Sequence, residues 1–199
     1  MKIGIFGGAF NPVHNGHINL AKNYADSLEL DKVIFIPTAV PPHKTSHHLA
    51  SQQDRMNMLK LAVCDNRFEI SDIEFKRQGK SYTYDTIKQL KEIYPDDRFY
   101  LIIGADQFLT FSKWYKWEEI LENAVICTSA REDDDERKKM IDFAKELNLT
   151  EKDFYLSPYP VYRLSSSEIR EKIKAGYDVK NCVPEGVWQY IIKKGLYSV

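Results

Sequence analysis

Gly7-Gly8-Ala9-Phe10-Asn11-Pro12-Val13-His14-Asn15-Gly16-His17 follows directly on the apolar run Ile3–Phe6. A short run of branched and aromatic residues closed by glycine is the pattern of a strand buried on both faces. Glycines directly after such a strand let backbone approach a ligand closely. The helix expected from Asn15-Gly16 onward presents free N–H groups and the positive end of its dipole, which favours phosphate. His14 and His17 stand three residues apart and so lie on neighbouring turns of one helix face. Imidazoles in that place can donate hydrogen bonds to phosphate oxygens.

Other loop chemistries fit less well. A dinucleotide fingerprint needs G-x-G-x-x-G and an acid near the end of the second strand, whereas here the glycines are adjacent and the second strand runs into Pro37-Thr38. A phosphate loop of the G-K-[ST] type is absent. A purely structural turn would leave the combination of Gly-Gly, Asn-Pro and His-x-x-His unexplained.

Further apolar runs at Val33–Ile36, Tyr100–Ile103, Ala124–Cys127 and, more weakly, Phe154–Leu156 read as strands. Helical spacing joins Ile18, Ala21, Ala25 and Leu28. It recurs in Met56, Leu59 and Val63 after a cap at Ser51, in Ile87, Leu90 and Tyr94, and in Val187, Ile191 and Ile192 after Pro184. Strands alternating with helices give a parallel sheet with right-handed crossovers. The expected architecture is a doubly wound α/β fold of the Rossmann-like kind. Residues 1–199 would form one domain, with 165–199 as its helical C-terminal subregion. Ligands then sit at the carboxyl ends of the strands.

The 199 residues can bury a full core. Lys and Arg number 28 against 29 Asp and Glu, so the basic excess of a general nucleic-acid binder is missing. A small anionic ligand needs only a local field. Cys64, Cys127 and Cys182 are odd in number and far apart, which argues against a disulfide framework and points to a reducing cytoplasm. No apolar run is long enough to cross a bilayer, and the start of the chain lacks a signal-peptide apolar region. The charged stretch Arg131–Lys139, with acids in its first part, reads as a solvated helix start. His43, His47 and His48 follow Pro41-Pro42 at a spacing that fits no metal site.

Three later segments complete the pattern. Ser81-Tyr82-Thr83-Tyr84-Asp85-Thr86 precedes a helix, with Thr83 as an N-terminal cap. Ile103-Gly104-Ala105-Asp106 stands at a strand-to-helix turn, with Asp106 as the cap, and Trp114 and Trp117 follow it. Ser165-Ser166-Ser167-Glu168-Ile169-Arg170 reads as a capping box from Ser165 to Glu168, which leaves Arg170 unexplained.

Taken together, these motifs resemble the nucleotidyltransferase superfamily, whose signatures are H-x-G-H (His14 to His17) and S-S-T-x-I-R (Ser165 to Arg170, with Ser167 for threonine). The Phe10-Asn11-Pro12 version resembles the bacterial nicotinate mononucleotide adenylyltransferase branch, which joins nicotinate mononucleotide to the adenylyl group of ATP. The resemblance implies His14, His17 and Arg170 as catalytic residues. It implies Gly7, Gly8, Phe10, His14, His17, Gly104, Asp106, Ser165, Ser166 and Arg170 around ATP. For the mononucleotide it implies Asn11, Lys44, the Thr83–Tyr84 amides and, stacked on the pyridine, Trp114. It further implies Mg²⁺ carried mainly by ATP, no protein metal cage, and small-molecule substrates with neither nucleic acid nor membrane as partner. A homo-oligomer stays open. The alternatives are a sister enzyme of the pantetheine-phosphate adenylyltransferase kind and a non-catalytic nucleotide sensor on the same fold.

Overall fold

The computed structural model describes residues 1–41, 49–130, 134–159 and 164–198. Six parallel strands form one sheet in the order β3-β2-β1-β4-β5-β6. The strands are β1 (Lys2–Gly8), β2 (Lys32–Pro37), β3 (Phe68–Ile70), β4 (Arg98–Ile102), β5 (Ala124–Ser129) and β6 (Phe154–Ser157). The helices are α1 (Asn15–Ser27), α2 (Gln52–Ala62), α3 (Thr83–Ile93), α4 (Ala105–Phe108), α5 (Trp117–Asn123), α6 (Asp134–Glu146), α7 (Ser166–Lys174) and α8 (Glu185–Lys194). A single 3₁₀ turn, Phe111–Lys113, lies between α4 and α5. The expected doubly wound sheet with C-terminal helices is therefore what forms.

The sheet buries both faces because its strands are almost wholly apolar. Phe6, Val33, Phe35, Tyr100 and Ile102 pack on one side with Ala21, Tyr24, Met58 and Leu59. Ile169, Val183, Val187 and Ile191 of the C-terminal part join that same cluster. Ile3, Ile5, Ile34, Ile36, Phe99 and Leu101 pack on the other side with Ile87, Leu90, Phe108, Ile120 and Met140.

The chain leaves β1 toward β2 on one side, while β4 lies on its other side, so the strand order reverses at β1. Such a reversal opens a crevice beyond the carboxyl ends. Register deepens it here: β4 ends with Ile102 opposite Phe6, whereas Gly7 and Gly8 run on against Ile36 and Pro37. The glycine pair is thus the tail of β1, extended past its neighbour.

Several expectations change in detail. Strand β3 was not expected, and the tyrosine-to-isoleucine strand stops at Ile102 rather than Ile103. Tyr82, not Thr83, is the N-cap of α3, and it makes no side-chain cap bond. Gly104, not Asp106, is the N-cap of α4, and the Gln107 side chain accepts from its N–H at 3.2 Å. Ser165 caps α7 by accepting from the Ser167 and Glu168 amides, but no reciprocal bond from Glu168 forms among the described residues. Ile192 points outward, at 55% exposure. Ser51 caps α2 as expected, accepting from the Asp54 amide.

Candidate active site

The first loop is built around Phe10. Its backbone is left-handed, with φ 46°, which costs a side-chain-bearing residue about 1–2 kcal/mol. Burial offsets that cost. The ring is 1% exposed and meets Phe6 and His17 nearly edge-on, at 5.5 and 5.1 Å between centroids. Gly8 is required beneath it, since a Cβ there would lie 3.2 Å from the Phe10 ring. Gly7 faces open space instead, with nothing within 4 Å of the position its Cβ would take.

His14 is the N-cap of α1 and is 5% exposed. Its ring stacks on that of His17, with centroids 3.6 Å apart and planes 24° from parallel. The His14 N–H donates to His17 Nδ1 at 3.2 Å. A neutral imidazole that accepts at Nδ1 carries its proton on Nε2, so His17 offers an N–H donor on its far side. Burial holds the His14 pKa at about 4. Burial, with the neighbouring His14 charge, pulls His17 well below the ordinary histidine value as well. Both rings are therefore neutral near pH 7. His14 Nδ1 is buried with no partner among the described residues. Gly16 explains the spacing of the pair: a Cβ there would lie 3.0 Å from His14 Nδ1 and 3.1 Å from its Cε1.

Helix α7 is docked onto this loop. The Ser166 hydroxyl donates to the Pro12 carbonyl at 2.9 Å, and Arg170 Nη1 donates to the Asn11 carbonyl at 2.8 Å. Arg170 Nη2 also donates to Ser167 Oγ at 3.2 Å. The N-termini of α1 and α7 thus converge, bringing His14, His17, Ser165, Ser166 and Arg170 to one place. Three donors remain on the Arg170 guanidinium beyond those two bonds.

Beside them lies a cavity of 540 Å³. Gly7, Gly8, Thr83, Asp106 and Trp114, all expected at the site, line it, as do Glu74, Tyr82 and Tyr115. Trp114 is half-buried against Phe111, 5.4 Å between ring centroids, which leaves part of its ring for the cavity. Tyr84 does not line this cavity, and Lys116 Nζ lies over its ring, 4.4 Å from the centroid. Gly104 does not line this cavity. Asn11 is 2% exposed, and its side-chain oxygen accepts from the Ala50 amide at 3.0 Å and the Tyr197 hydroxyl at 2.8 Å. It is a buried strut of the loop, not a cavity wall. Lys44, expected at the mononucleotide phosphate, lies outside the described residues, as do His43, His47 and His48.

The sequence reading missed several participants. Lys113 is the one cation among the described residues lining the cavity. Glu74, 6% exposed, accepts from the Thr86 hydroxyl at 2.8 Å and so braces the start of α3. Both signals are single residues inside unremarkable stretches. Arg55 is different: it falls at helical spacing with Met58, Leu59 and Ala62, a cation inside an apolar stripe. Among the described residues, no group of three or more His, Cys, Asp or Glu gathers in metal-binding fashion, and no helix is long and apolar enough to cross a membrane.

The cytidylyltransferase-like family model matches residues 5–172. A protein of Geobacillus thermodenitrificans named "Probable nicotinate-nucleotide adenylyltransferase" is 41% identical over 205 residues, covering 99% of this chain and 86% of its own. One of the same name from Dictyoglomus thermophilum is 42% identical over 198 residues, covering 99% and 100%. Among solved structures, the Plasmodium falciparum nicotinic acid mononucleotide adenylyltransferase complexed with NaAD superposes with a TM-score of 0.79 at 22% identity, covering 98% of this chain and 97% of that one.

Proposed function

The chain belongs to the cytidylyltransferase-like family, among its nicotinate-nucleotide adenylyltransferases, and from that premise we propose how its cleft performs the reaction. The enzyme transfers the adenylyl group of ATP to nicotinate mononucleotide, giving deamido-NAD and pyrophosphate, in NAD biosynthesis. The observation that carries the assignment of roles is the stacked, neutral histidine pair facing the arginine of α7 across the Asn11–Pro12 loop.

An oxygen of the mononucleotide 5′-phosphate attacks the α-phosphorus of ATP in line. The bond from that phosphorus to the bridging oxygen breaks, and its electrons leave with pyrophosphate. The nucleophile is already ionised, so no strong base is needed, and catalysis is positioning plus stabilisation of developing charge. His17 donates from Nε2 to the α-phosphate. His14, Arg170, Ser165, Ser166 and the starts of α1 and α7 hold the triphosphate, with Gly7, Gly8 and the Phe10 backbone forming the floor. Gly104 and Asp106 border the nucleotide at the β4 turn. Mg²⁺ would enter on the ATP oxygens and would offset their charge. On the cavity side, Trp114 stacks on the pyridine, the Thr83 and Tyr84 amides receive its carboxylate, and Lys44 meets the phosphate. We also read residues 1–199 as one domain, since the C-terminal helices share a cluster with the first strands, and as cytoplasmic, a reading supported by three cysteines far apart in sequence.

Pyrophosphate release from ATP with a panel of acceptors tests this reading. Nicotinate mononucleotide should exceed nicotinamide mononucleotide by about a hundredfold in kcat/KM. A carboxylate pairs with backbone donors, whereas an amide brings a further donor and leaves groups unpaired, at about 1–3 kcal/mol each. A ratio near one would overturn the amide pocket, and turnover of phosphopantetheine alone would overturn the whole assignment.

A further inference from the structure

Arg55 stands in the middle of the buried stripe of α2 and is 1% exposed. A buried charge is costly unless its hydrogen-bonding capacity is met, and the usual remedy is a carboxylate. Here no carboxylate bonds it among the described residues. Its Nη1 donates to the Ala9 carbonyl at 3.0 Å and the Thr38 carbonyl at 2.7 Å, and its Nε donates to the Ala50 carbonyl at 3.2 Å. The guanidinium also lies over the Phe75 ring, 5.3 Å from its centroid. A core-filling residue would be served as well by methionine. Three backbone carbonyls drawn from three separate segments are a specific arrangement.

Two of those segments form the cavity wall, since both Ala9 and Thr38 line it. A trans peptide places its C=O and N–H on opposite sides. Drawing the Ala9 carbonyl back onto Arg55 therefore turns the Phe10 N–H away from the core. The Gly8 carbonyl is likewise engaged, by the Thr38 N–H at 2.8 Å, which turns the Ala9 N–H the other way. Neither the Ala9 nor the Phe10 amide has an acceptor among the described residues. Left to itself, a loop of this kind could present carbonyl oxygens to the cavity, and these would repel an anionic ligand.

We propose that Arg55 is a positioning residue for the mononucleotide: by holding the Ala9 and Thr38 carbonyls behind the wall, it keeps those oxygens from the anionic substrate and leaves the Ala9 and Phe10 N–H groups as donors, the Ala39 N–H beyond Thr38 being taken by Ser81 Oγ at 3.2 Å and Glu74 Oε2 at 3.4 Å. The inference rests on the function proposed above. It assigns Arg55 no contact with substrate and acts wholly through the two carbonyls. The side chain must therefore be a fork, and charge alone does not suffice.

The test is Arg55→Lys, with Arg55→Met as its neutral counterpart. Each is measured for melting temperature, for KM and kcat with both substrates, and for nicotinate mononucleotide binding by calorimetry. Lysine keeps the charge but cannot hold carbonyls of separate segments in one plane. Both variants should weaken mononucleotide binding about tenfold or more, a misplacement effect, while the ATP KM, with the triphosphate held chiefly by His14, Arg170 and the start of α7 and sharing only the Phe10 backbone of this wall, stays within about threefold. A folded Arg55→Lys enzyme that binds the mononucleotide as the parent does would overturn the proposal. So would an equal loss for both substrates, or failure of both variants to fold, since Arg55 would then serve the core alone. A parent enzyme that does not turn over nicotinate mononucleotide at all would instead refute the proposed function.

Discussion

Gly16→Ala separates the alignment of the histidines from the stability of the fold. The added methyl would lie 3.0 Å from His14 Nδ1, 3.1 Å from His14 Cε1 and 3.4 Å from Leu164 Cβ. Ordinary carbon–nitrogen contact begins at about 3.5 Å, so the ring must yield by roughly half an ångström. It cannot yield toward His17, whose ring already stacks at 3.6 Å. It must swing out, and the His14 amide that sets the His17 tautomer moves with it. Alanine gains about 0.5–1 kcal/mol over glycine within a helix, while overpacking costs about 1–3 kcal/mol. The net cost is roughly 0–2.5 kcal/mol, so the melting temperature should fall by no more than about 10 °C. Displacement of reacting groups by about 1 Å costs roughly a hundredfold in turnover. The expected variant, displaced by about half that distance, is folded and about tenfold slower in pyrophosphate release, read beside a thermal melt. Turnover within threefold of the parent would refute the reasoning. So would a melting temperature lowered by more than about 10 °C, because the loss would then come from packing.

His17→Ala should leave the fold intact and lower kcat by roughly two to three powers of ten, the scale of one lost charge-stabilising donor, as measured by pyrophosphate release. Trp114→Ala should raise the mononucleotide KM far more than the ATP KM, and an equal loss for both would make Trp114 a core residue. Stability should fall with acid. The unfolded chain protonates His14 near its ordinary value of 6.5, whereas the folded chain resists to about 4. The contribution is therefore complete above 6.5 and is lost as pH falls through 4, amounting at most to about 3 kcal/mol. Melting temperatures between pH 4.5 and 7.5 should show this slope, and His14→Gln should flatten it.

The parts of the fold legible in sequence were those in which a single period dominates. Val33–Ile36 and Ala124–Cys127 are central strands, apolar on both faces, and nothing else fits them. Strand β3 has three residues at the sheet edge, and its Glu69 faces solvent, so no run was there to find. The segment from Gly104 to Asn123 folds as three short pieces anchored by packing of Phe108, Phe111 and Ile120, with the Gln107 bond to the Gly104 N–H as a local cap at its start. The histidine loop was legible because glycine, proline and histidine each have few roles. Asn11 was less legible, for the opposite reason. Asparagine serves binding and burial equally, and only the distant Ala50 and Tyr197 reveal which. Arg55 carried a signal that propensity reasoning passes over: a long cation in the one helical stripe where every neighbour is apolar.

The bond from Arg170 to the Asn11 carbonyl spans 159 residues, and its consequence is one of timing. Every strand of the sheet precedes Arg170 in the chain. As the polypeptide emerges, the glycines, the histidine pair and both walls of the cavity are made first. Arg170 and the serines at the start of α7 come only afterwards, and such a distant closure is among the slower steps of folding. A half-made chain therefore lacks both the Arg170 tie and the C-terminal share of the core, Ile169, Val183, Val187 and Ile191, and the histidine loop is fixed only when these arrive.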